Sequence, residues 1–400
     1  MHLRFRVAVL SAVVAFAAAF ATPLVAQAPS SGTPAAPSAT AALPAGAMPA
    51  PSVAAAAYVL VDLTSGQTLA AANPDAKRDP ASLTKLMTAY LVFAALRQKA
   101  IVPSQMVTVS QKAWRAEGSR MFIEPRKSVS VEELLKGMIV QSGNDASVAL
   151  AELVGGTEEA FVAKMNEEAR RLGMTNSRFT NSTGLSEAQH YATAADLAKL
   201  AGAIIRDYPE FYPLYALKDF RYNNITQANR NRLLWTDPHV DGVKTGHTAQ
   251  AGWCLVASAL RGERRLLSVV LGASSDAARA AESQKLLNYG FQAFDTVQLY
   301  QAGKPVTSLD VWKGAAKQVP AGFVADRHLT LPKGQSAKLQ LTLVAQETLI
   351  APVQRGQRVG LVRVAFDGKP VADFPLIALE DVAPASFLGR AWDTVRLWFK

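Results

Sequence analysis

Hydrophobic and polar residues within positions 55–295 follow two periods that indicate different secondary structures. Short apolar runs at 58–62 and 68–71, and again at 253–260 and 266–271, predict two β-hairpins. Longer segments repeat apolar residues with helical spacing. These segments predict helices at about 83–98, 131–141, 145–154, 158–172, 193–207 and 276–289. Strands near both ends, with helices between them, predict an α+β domain whose sheet joins the ends of the segment.

The pattern changes after the last of these helices. Short alternating runs such as 359–366 are separated by Gly and Pro, and Asp367-Gly368 is a hairpin signal. Residues 296–380 are therefore predicted to form a small, sandwich-like all-β domain. Residues 385–400 return to a helical period, with an apolar face opposite a mostly basic one, and predict an amphipathic C-terminal helix.

The N-terminal segment has the order of charge and hydrophobicity that is typical of an exported protein. His2, Arg4 and Arg6 precede an apolar stretch that ends in small residues. This order predicts a secretory signal peptide at 1–26, with an uncleaved signal anchor as the alternative. Residues 27–54 are almost all Ala, Pro, Ser, Gly and Thr, which predicts a flexible linker.

The composition narrows the classes of function. Half of the 400 residues are hydrophobic, which supports a large core, and the net charge of +10 favours anionic partners. No block of Lys and Arg with interleaved aromatic residues indicates a nucleic-acid surface. The five His and the single Cys254 lack metal-ligand spacing, so no metal or other cofactor is expected. Cys254 cannot form an intramolecular disulfide, and its apolar surroundings predict a buried thiol.

Three short motifs could carry chemistry, and each has a purely structural alternative. Ser82 and Lys85 open the first long helix, where residues three apart are neighbours, so the Lys85 amine could take the proton of the Ser82 hydroxyl. The alternative is an ordinary N-cap serine beside a solvated lysine. Ser142 and Asn144 lie between two predicted helices. They could relay a proton and hold a substrate amide, or the segment could simply cap the second helix.

The third motif covers Lys244, Thr245, Gly246 and His247, just before the second hairpin. On a strand, Lys244 could place a cation near the two serines, and Gly246 would let a substrate backbone approach the sheet edge. The backbone N–H groups of Ser82 and His247 could form an oxyanion hole. The alternative for this segment alone is a surface turn.

The order of the motifs favours catalysis more strongly than any one motif does. Ser-x-x-Lys, Ser-Gly-Asn and Lys-Thr-Gly in this order are typical of penicillin-binding proteins and the related β-lactamases. Segments 78–85, 141–146 and 240–248 resemble the motif regions of D-alanyl-D-alanine carboxypeptidases, the low-molecular-mass penicillin-binding proteins. The resemblance covers 55–295 and extends more loosely to the tail. It implies a β-lactamase/transpeptidase-like catalytic domain, with an antiparallel sheet flanked by helices.

The resemblance also implies roles for individual residues. Ser82 matches the acylated nucleophile, Lys85 its general base, and Ser142 a member of the proton-transfer network. The implied substrate-binding residues are Asn144, Lys244, Thr245, Gly246, His247, Arg230 and Arg279. Two charged amines near one serine repel each other, and where water is excluded the free-energy cost of keeping both protonated is large. Lys85 is therefore expected to be neutral and Lys244 to keep its proton.

The implied substrate is a peptidoglycan stem peptide that ends in D-Ala-D-Ala. Acylation releases the terminal D-Ala, water then releases the trimmed peptide, and β-lactam antibiotics form the same ester. A β-lactamase, a peptidoglycan endopeptidase and a non-catalytic envelope scaffold are the alternatives. Gly143 argues against a β-lactamase, because those enzymes usually carry Asp at this place.

The tail predicts where the protein acts. The apolar face of 387–399 carries two Trp and is too short to span a bilayer, but it suits a helix lying in the interface of an anionic membrane. The alternative is a helix docked on its own β domain. We expect a periplasmic protein held on the outer face of the cytoplasmic membrane.

Overall fold

The computed structural model describes residues 48–346 and 348–397. The predicted signal peptide, most of the predicted linker and the last three residues of the tail lie outside this description. Within it, no helix is long and apolar enough to cross a membrane.

The end of the predicted linker differs from the expectation of a flexible segment. The carbonyl oxygen of Met48 accepts a hydrogen bond of 2.7 Å from the Tyr289 hydroxyl, and that of Ser52 accepts one of 2.9 Å from the Lys285 amine. Composition could not predict these two hydrogen bonds, because their acceptors are backbone carbonyl oxygens, which every residue type carries.

The first part of the fold is a hairpin followed by a helical region. The hairpin consists of β1 (Ala57–Asp62) and β2 (Thr68–Ala72). A 3₁₀ turn, Ala81–Thr84, then leads into α1. The region contains, in chain order, α1 (Lys85–Arg97), β3 (Met106–Thr108), α2 (Gln111–Trp114), β4 (Ser128–Ser130), α3 (Val131–Val140), α4 (Asn144–Gly155), α5 (Glu158–Arg171), α6 (Ala194–Asp207), β5 (Asp219–Tyr222), β6 (Ile225–Ala228) and α7 (Leu233–Thr236).

Three strands and one helix complete this part of the chain. They are β7 (Val240–Thr248), β8 (Gly252–Arg261), β9 (Arg264–Ala273) and α8 (Asp276–Ala293). The antiparallel sheet has the order β2-β1-β9-β8-β7, so the first strand pairs with a strand near the end of the segment. One core packs the sheet against α1, α3, α4 and α6, and a second packs it against α8. The predicted α+β class is confirmed, and β7 forms one edge of the sheet.

Side-chain caps determine where several of these helices begin. Ser130, Thr157, Thr193 and Ser275 each accept a hydrogen bond from the backbone N–H three residues later. At Ser130 the Glu133 side chain completes a reciprocal capping box. Each cap contributes about 1 kcal/mol of helix stability. The start of α1 has no side-chain cap, which frees the side chains of its first turn for other contacts.

The chain then forms an all-β region. Its strands are β10 (Phe294–Tyr300), β11 (Pro305–Trp312), β12 (Gln318–Gly322), β13 (Arg327–Pro332), β14 (Leu339–Ala345), β15 (Leu349–Ile350), β16 (Arg358–Phe366) and β17 (Lys369–Ala378). Six of them form a sheet in the order β14-β16-β17-β12-β11-β15, and β10 pairs with β13. Asp367 and Gly368 link β16 to β17 with positive φ angles of 51° and 74°, the twist that a two-residue hairpin turn needs.

A buried carboxylate joins the two regions. Asp62, at the end of β1, is fully buried. It accepts hydrogen bonds from the Arg264 guanidinium at 2.8 Å and from the hydroxyls of Thr296 at 2.6 Å and Thr330 at 3.0 Å. Because Thr296 and Thr330 belong to β10 and β13, the sheet of one region is tied directly to the ribbon of the other.

The last element, α9 (Phe387–Leu397), lies on the all-β region by its polar side. The Asp393 side chain is buried and accepts a hydrogen bond of 2.8 Å from the backbone N–H of Lys313. Phe387, Leu388 and Trp392 are 75%, 79% and 66% exposed. The helix is therefore docked, as the alternative interpretation of the tail predicts, yet its apolar face points away from the protein.

Candidate active site

Ser82 lies in the 3₁₀ turn that precedes α1, three residues before Lys85, the first residue of that helix. The turn is fixed by Asp79, whose carboxylate accepts the backbone N–H of Ala81 at 2.7 Å. The Ser82 hydroxyl does not cap the helix but lies 3.0 Å from the Lys85 amine. The N-cap interpretation of this motif is thus wrong, and the predicted contact between Ser82 and Lys85 is present.

Lys85 is almost completely buried, with 1% of its surface exposed. Besides Ser82, its amine contacts the Asn144 side-chain oxygen and the Thr183 carbonyl oxygen, both at 2.6 Å. Burial lowers the pKa of Lys85 to about 7, helped by the positive charge of Arg230 and opposed by Asp145. The amine can therefore exist in both protonation states near neutral pH.

The three contacts of Lys85 can be made by a protonated amine with three donors, and they can also be made by a neutral one. A neutral amine has two N–H donors and one lone pair, and a carbonyl or amide oxygen can only accept. The two N–H groups are used by Asn144 and Thr183. The lone pair is then left for the Ser82 hydroxyl, which can donate. This arrangement can remove the hydroxyl proton and generate a nucleophile.

The middle motif contributes a strained serine and an organising amide. Ser142 is buried with φ at +65°, and its hydroxyl has no hydrogen-bond partner among the described residues. Asn144 begins α4, and its amide N–H₂ donates to the Glu117 carbonyl at 2.5 Å while its oxygen accepts from Lys85. The capping alternative fails for Asn144, whose side chain joins the site instead of the helix.

The third motif lies on β7, directly against the turn that carries Ser82. An added Cβ on Gly246 would come within 3.1 Å of the Pro80 carbonyl oxygen and 3.2 Å of the Ala81 side chain. Glycine therefore suits the close approach of strand and turn, because a larger residue would force them a few tenths of an ångström apart. His247 is exposed and stacks on Trp253 with ring centroids 3.9 Å apart. The surface-turn alternative for this segment is wrong.

The surroundings of Lys244 oppose the positive charge that the sequence analysis expects it to keep. It is buried, and its amine donates to the Thr245 carbonyl oxygen at 3.2 Å. Burial holds the pKa of Lys244 well below its ordinary value, and the charges of Lys85, Arg230 and Arg279 lower it further. The sequence could not show that four cationic side chains share this site.

The two candidate arginines occupy different positions. Arg279, on α8, is buried, pairs with Asp276, and donates to the Gly246 carbonyl oxygen at 3.1 Å. It therefore braces β7. Arg230 follows β6 and is exposed. Its guanidinium lowers the pKa of both Lys85 and Lys244.

A cavity of about 560 Å³ joins most of these residues. Its lining consists of Ser82, Ser119, Ser142, Asn229, Arg230, Arg232, Thr245, Gly246, His247, Trp253, Asp276 and Arg279. Lys85, Asn144 and Lys244 lie beneath this lining. Over residues 48–346 and 348–397, no cluster of His, Cys, Asp and Glu could hold a metal ion. Cys254 is buried, as predicted.

The sequence interpretation missed the loop 181–184, which supplies the Thr183 carbonyl. The side-chain oxygen of Asn181 accepts the backbone N–H groups of Thr183 and Gly184 at 3.2 and 2.7 Å. Glu158 accepts the Ser182 backbone N–H at 3.0 Å. The polar run Asn-Ser-Thr-Gly was a visible turn signal, but only the tertiary structure shows that it faces Lys85.

A buried histidine was also missed. The His190 Nδ1 accepts the Thr180 backbone N–H at 3.1 Å, so its Nε2 carries the proton and donates to the Thr84 hydroxyl at 2.8 Å. Burial lowers the pKa of His190 to about 4. A neutral imidazole therefore supports the turn beside Ser82 across the ordinary pH range.

A serine paired with a buried amine, beside a sheet edge and a cationic cavity, defines a serine hydrolase of the acyl-enzyme class. The family profile described as D-alanyl-D-alanine carboxypeptidase matches residues 45–275, and that described as penicillin-binding protein 5, C-terminal domain, matches 294–384. The chain belongs to the D-alanyl-D-alanine carboxypeptidases, penicillin-binding serine peptidases of the bacterial cell envelope.

Individual relatives agree with this assignment. D-alanyl-D-alanine carboxypeptidase DacC of Escherichia coli is 45% identical over 358 residues, which cover 88% of this chain and 90% of the relative. The structure of penicillin-binding protein 5 from Haemophilus influenzae has a TM-score of 0.82 at 43% identity and covers 84% of this chain and 99% of its own. Penicillin-binding protein D2 from Listeria monocytogenes, solved with ampicillin bound, has a TM-score of 0.57 at 29% identity, with 61% and 100% coverage.

Gly184 offers a test of the contact between the 181–184 loop and the Ser82 turn. Its φ is +86°, and an added Cβ would lie 1.9 Å from the Ala81 carbonyl oxygen. We expect Gly184→Ala to push the turn away from Lys85 and to slow acylation by labelled penicillin roughly 100-fold.

Gly173→Ala is the matched control for this variant. Gly173 also has a positive φ, +72°, but an added Cβ meets nothing within 4 Å. It should lower the thermal midpoint through backbone strain of about 1–2 kcal/mol and leave acylation unchanged. Equal acylation rates for the two variants would show that the contact is dispensable.

Proposed function

We propose that the protein removes the terminal D-alanine from peptidoglycan stem peptides through an acyl-enzyme on Ser82, with Lys85 as general base. The observation that carries this proposal is the set of three contacts of the buried Lys85 amine. Two of them are to oxygens that can only accept, and the third places the amine nitrogen 3.0 Å from the Ser82 hydroxyl, within reach of its proton when the amine is neutral.

The proposed acylation begins when the Ser82 oxygen attacks the carbonyl carbon of the penultimate D-Ala and Lys85 accepts the hydroxyl proton. The backbone N–H groups of Ser82 and His247 stabilise the oxyanion. The proton then passes to the leaving amine, and free D-Ala departs. Water attacks the ester in the second half-reaction, which restores Ser82 and releases the trimmed peptide.

Ser142 and Lys244 are proposed to complete the proton path and to bind the substrate terminus. The unpartnered Ser142 hydroxyl is available to relay the proton toward the leaving amine. A substrate carboxylate beside Lys244 would raise the pKa of that amine again, because an opposite charge favours the protonated form. Substrate binding would therefore favour the protonated form of Lys244.

The remaining candidates are proposed to position the peptide. Thr245, Gly246 and His247 lie on the edge strand β7, where an extended peptide can add as a further strand. Asn144 holds the Lys85 amine through its side-chain oxygen, and its predicted contact with a substrate amide would need its amide group to leave the Glu117 carbonyl. Arg230 supplies an exposed cation at the cavity, and Arg279 acts by holding β7 in place.

We also propose that the protein is exported by residues 1–26, acts in the periplasm and attaches to the outer face of the cytoplasmic membrane through α9. The exposure of Phe387, Leu388 and Trp392 supports the last point, because an apolar helix face directed away from the protein suits the interface of a bilayer. The domain limits that accompany this proposal are 27–54 for the linker, 55–295 for the peptidase and 296–380 for the β domain.

The nucleophile can be tested by mass spectrometry. Ser82→Ala should leave the protein folded but abolish both the penicilloyl adduct and the release of D-Ala from a pentapeptide, because no other hydroxyl contacts Lys85 among the described residues. Ser110→Ala removes a helix cap instead and should keep both activities. A penicilloyl adduct on the Ser82→Ala protein would refute the assignment.

The general base can be tested through pH. Since the pKa of Lys85 is about 7, acylation by penicillin should rise roughly tenfold per pH unit below pH 7 and level off above it, because only the free amine accepts a proton. Lys85→Arg should block acylation at every pH, as guanidinium stays protonated.

The exposed Lys99 provides the control, and Lys99→Arg should retain the wild-type profile. A rate that does not change between pH 5 and pH 9, or acylation of the Lys85→Arg protein at a near wild-type rate, would exclude Lys85 as the base.

Membrane attachment can be tested by deleting residues 385–400. The truncated protein should remain active and appear in the soluble fraction, because the apolar face of α9 is lost. Flotation of the mature protein with anionic vesicles, with and without the tail, provides the measurement. Equal flotation of the two forms would leave α9 as a packing element only.

A further inference from the structure

The polar side of α9 is attached to the turn between β11 and β12 (residues 313–317, here called the basic turn). The Asp393 carboxylate accepts the Lys313 backbone N–H at 2.8 Å and lies 3.3 Å from the Lys317 amine. The Arg396 guanidinium lies 5.8 Å from the ring centre of Trp312. The Ala385 backbone N–H donates to the Lys313 carbonyl at 2.7 Å, so the start of the tail is bound at the same turn.

The charges of this assembly are almost all positive. Asp393 is the one acidic residue of α9, and it is buried against the basic turn and paired there. Lys313 and Lys317 belong to the turn, and Arg390 and Arg396 belong to the helix. A surface that combines exposed apolar side chains with four cations and a single carboxylate matches an anionic bilayer better than it matches a protein partner.

We propose that α9 and the basic turn form a single membrane-contact surface, in which the helix inserts its apolar face while the lysines of the turn contact anionic lipid headgroups. The proposal rests on membrane attachment through α9 and adds to it a fixed orientation of the β domain. A helix is about 10 Å across, and an interfacial helix sinks about 5–10 Å. The turn packed behind α9 therefore lies at headgroup level.

The contact between Asp393 and the basic turn makes this proposal testable without a membrane. In solution, Arg390 and Arg396 of the intact protein should resist trypsin, because the helix is docked. Asp393→Ala removes the acceptor for the Lys313 N–H and the partner of Lys317, so both arginines should be cleaved at least tenfold faster. Cleavage of α9 at the same rate in both proteins would overturn the docked arrangement.

The lipid contact is measured by the partition of the full chain onto vesicles of phosphatidylcholine and phosphatidylglycerol. Lys313→Gln removes one cation and keeps the backbone N–H that Asp393 uses. It should weaken binding about fivefold, the effect of one basic residue near an anionic surface. Lys369→Gln is the matched control, because it also removes one exposed cation. Lys369 is the first residue of β17, whereas β17 pairs with β12 at its last two residues, Ile377 and Ala378.

The double variant decides whether α9 and the basic turn act together. In the Asp393→Ala background, where the helix is released, Lys313→Gln should have no further effect on binding. Equal binding of wild-type and Lys313→Gln proteins, or a loss that persists in that background, would overturn the shared surface while leaving attachment through α9 intact. A wild-type protein that does not bind the vesicles would instead overturn the attachment and the shared surface together. Release of D-Ala from a pentapeptide should be unchanged in every variant.

Discussion

The exclusion of water from one lysine amine is the constraint on which the active site depends. Burial of a charged amine is unfavourable. Lys85, the first residue of α1, is buried and has a lowered pKa, and its amine makes three hydrogen-bond contacts. Its partners come from three separate parts of the chain: the Ser82 turn, the start of α4 and the 181–184 loop. All three must be in place before the amine can act as a base.

Much of the surrounding polar structure serves to hold those partners. Asn181 and Glu158 fix the loop that presents the Thr183 carbonyl, and His190 supports Thr84 in the turn. Asp145 accepts the backbone N–H groups of residues 121–123 and so shapes the loop that lies over Asn144. Buried groups that are fully hydrogen-bonded restrict one another's positions, so these contacts help to fix the partners of Lys85.

The sheet provides the second wall of the site. Glycine at position 246 favours the close approach of β7 to the Ser82 turn, and Arg279 donates a hydrogen bond to the Gly246 carbonyl. The Asp62 contacts then join this sheet to the β10–β13 ribbon, and the Asp393 contact joins the β region to α9. Two buried carboxylates, Asp62 and Asp393, therefore connect the peptidase region to the β region and the β region to α9.

Local sequence determined the elements and the three motifs of this protein. Apolar spacing predicted the six long helices of 55–295 and the two hairpins but missed the one-turn helices α2 and α7. Asp367-Gly368 predicted its turn, and Ser82, Lys85, Asn144 and Lys244 were recognisable by type and spacing. Tertiary structure decided which groups meet. The Thr183 carbonyl, the neutral His190, the crowding that lowers the pKa of Lys244 and the polar docking of α9 all depend on long-range proximity. A backbone carbonyl has no residue signature, and a pKa depends on burial and neighbouring charge, so neither can be read from residue order.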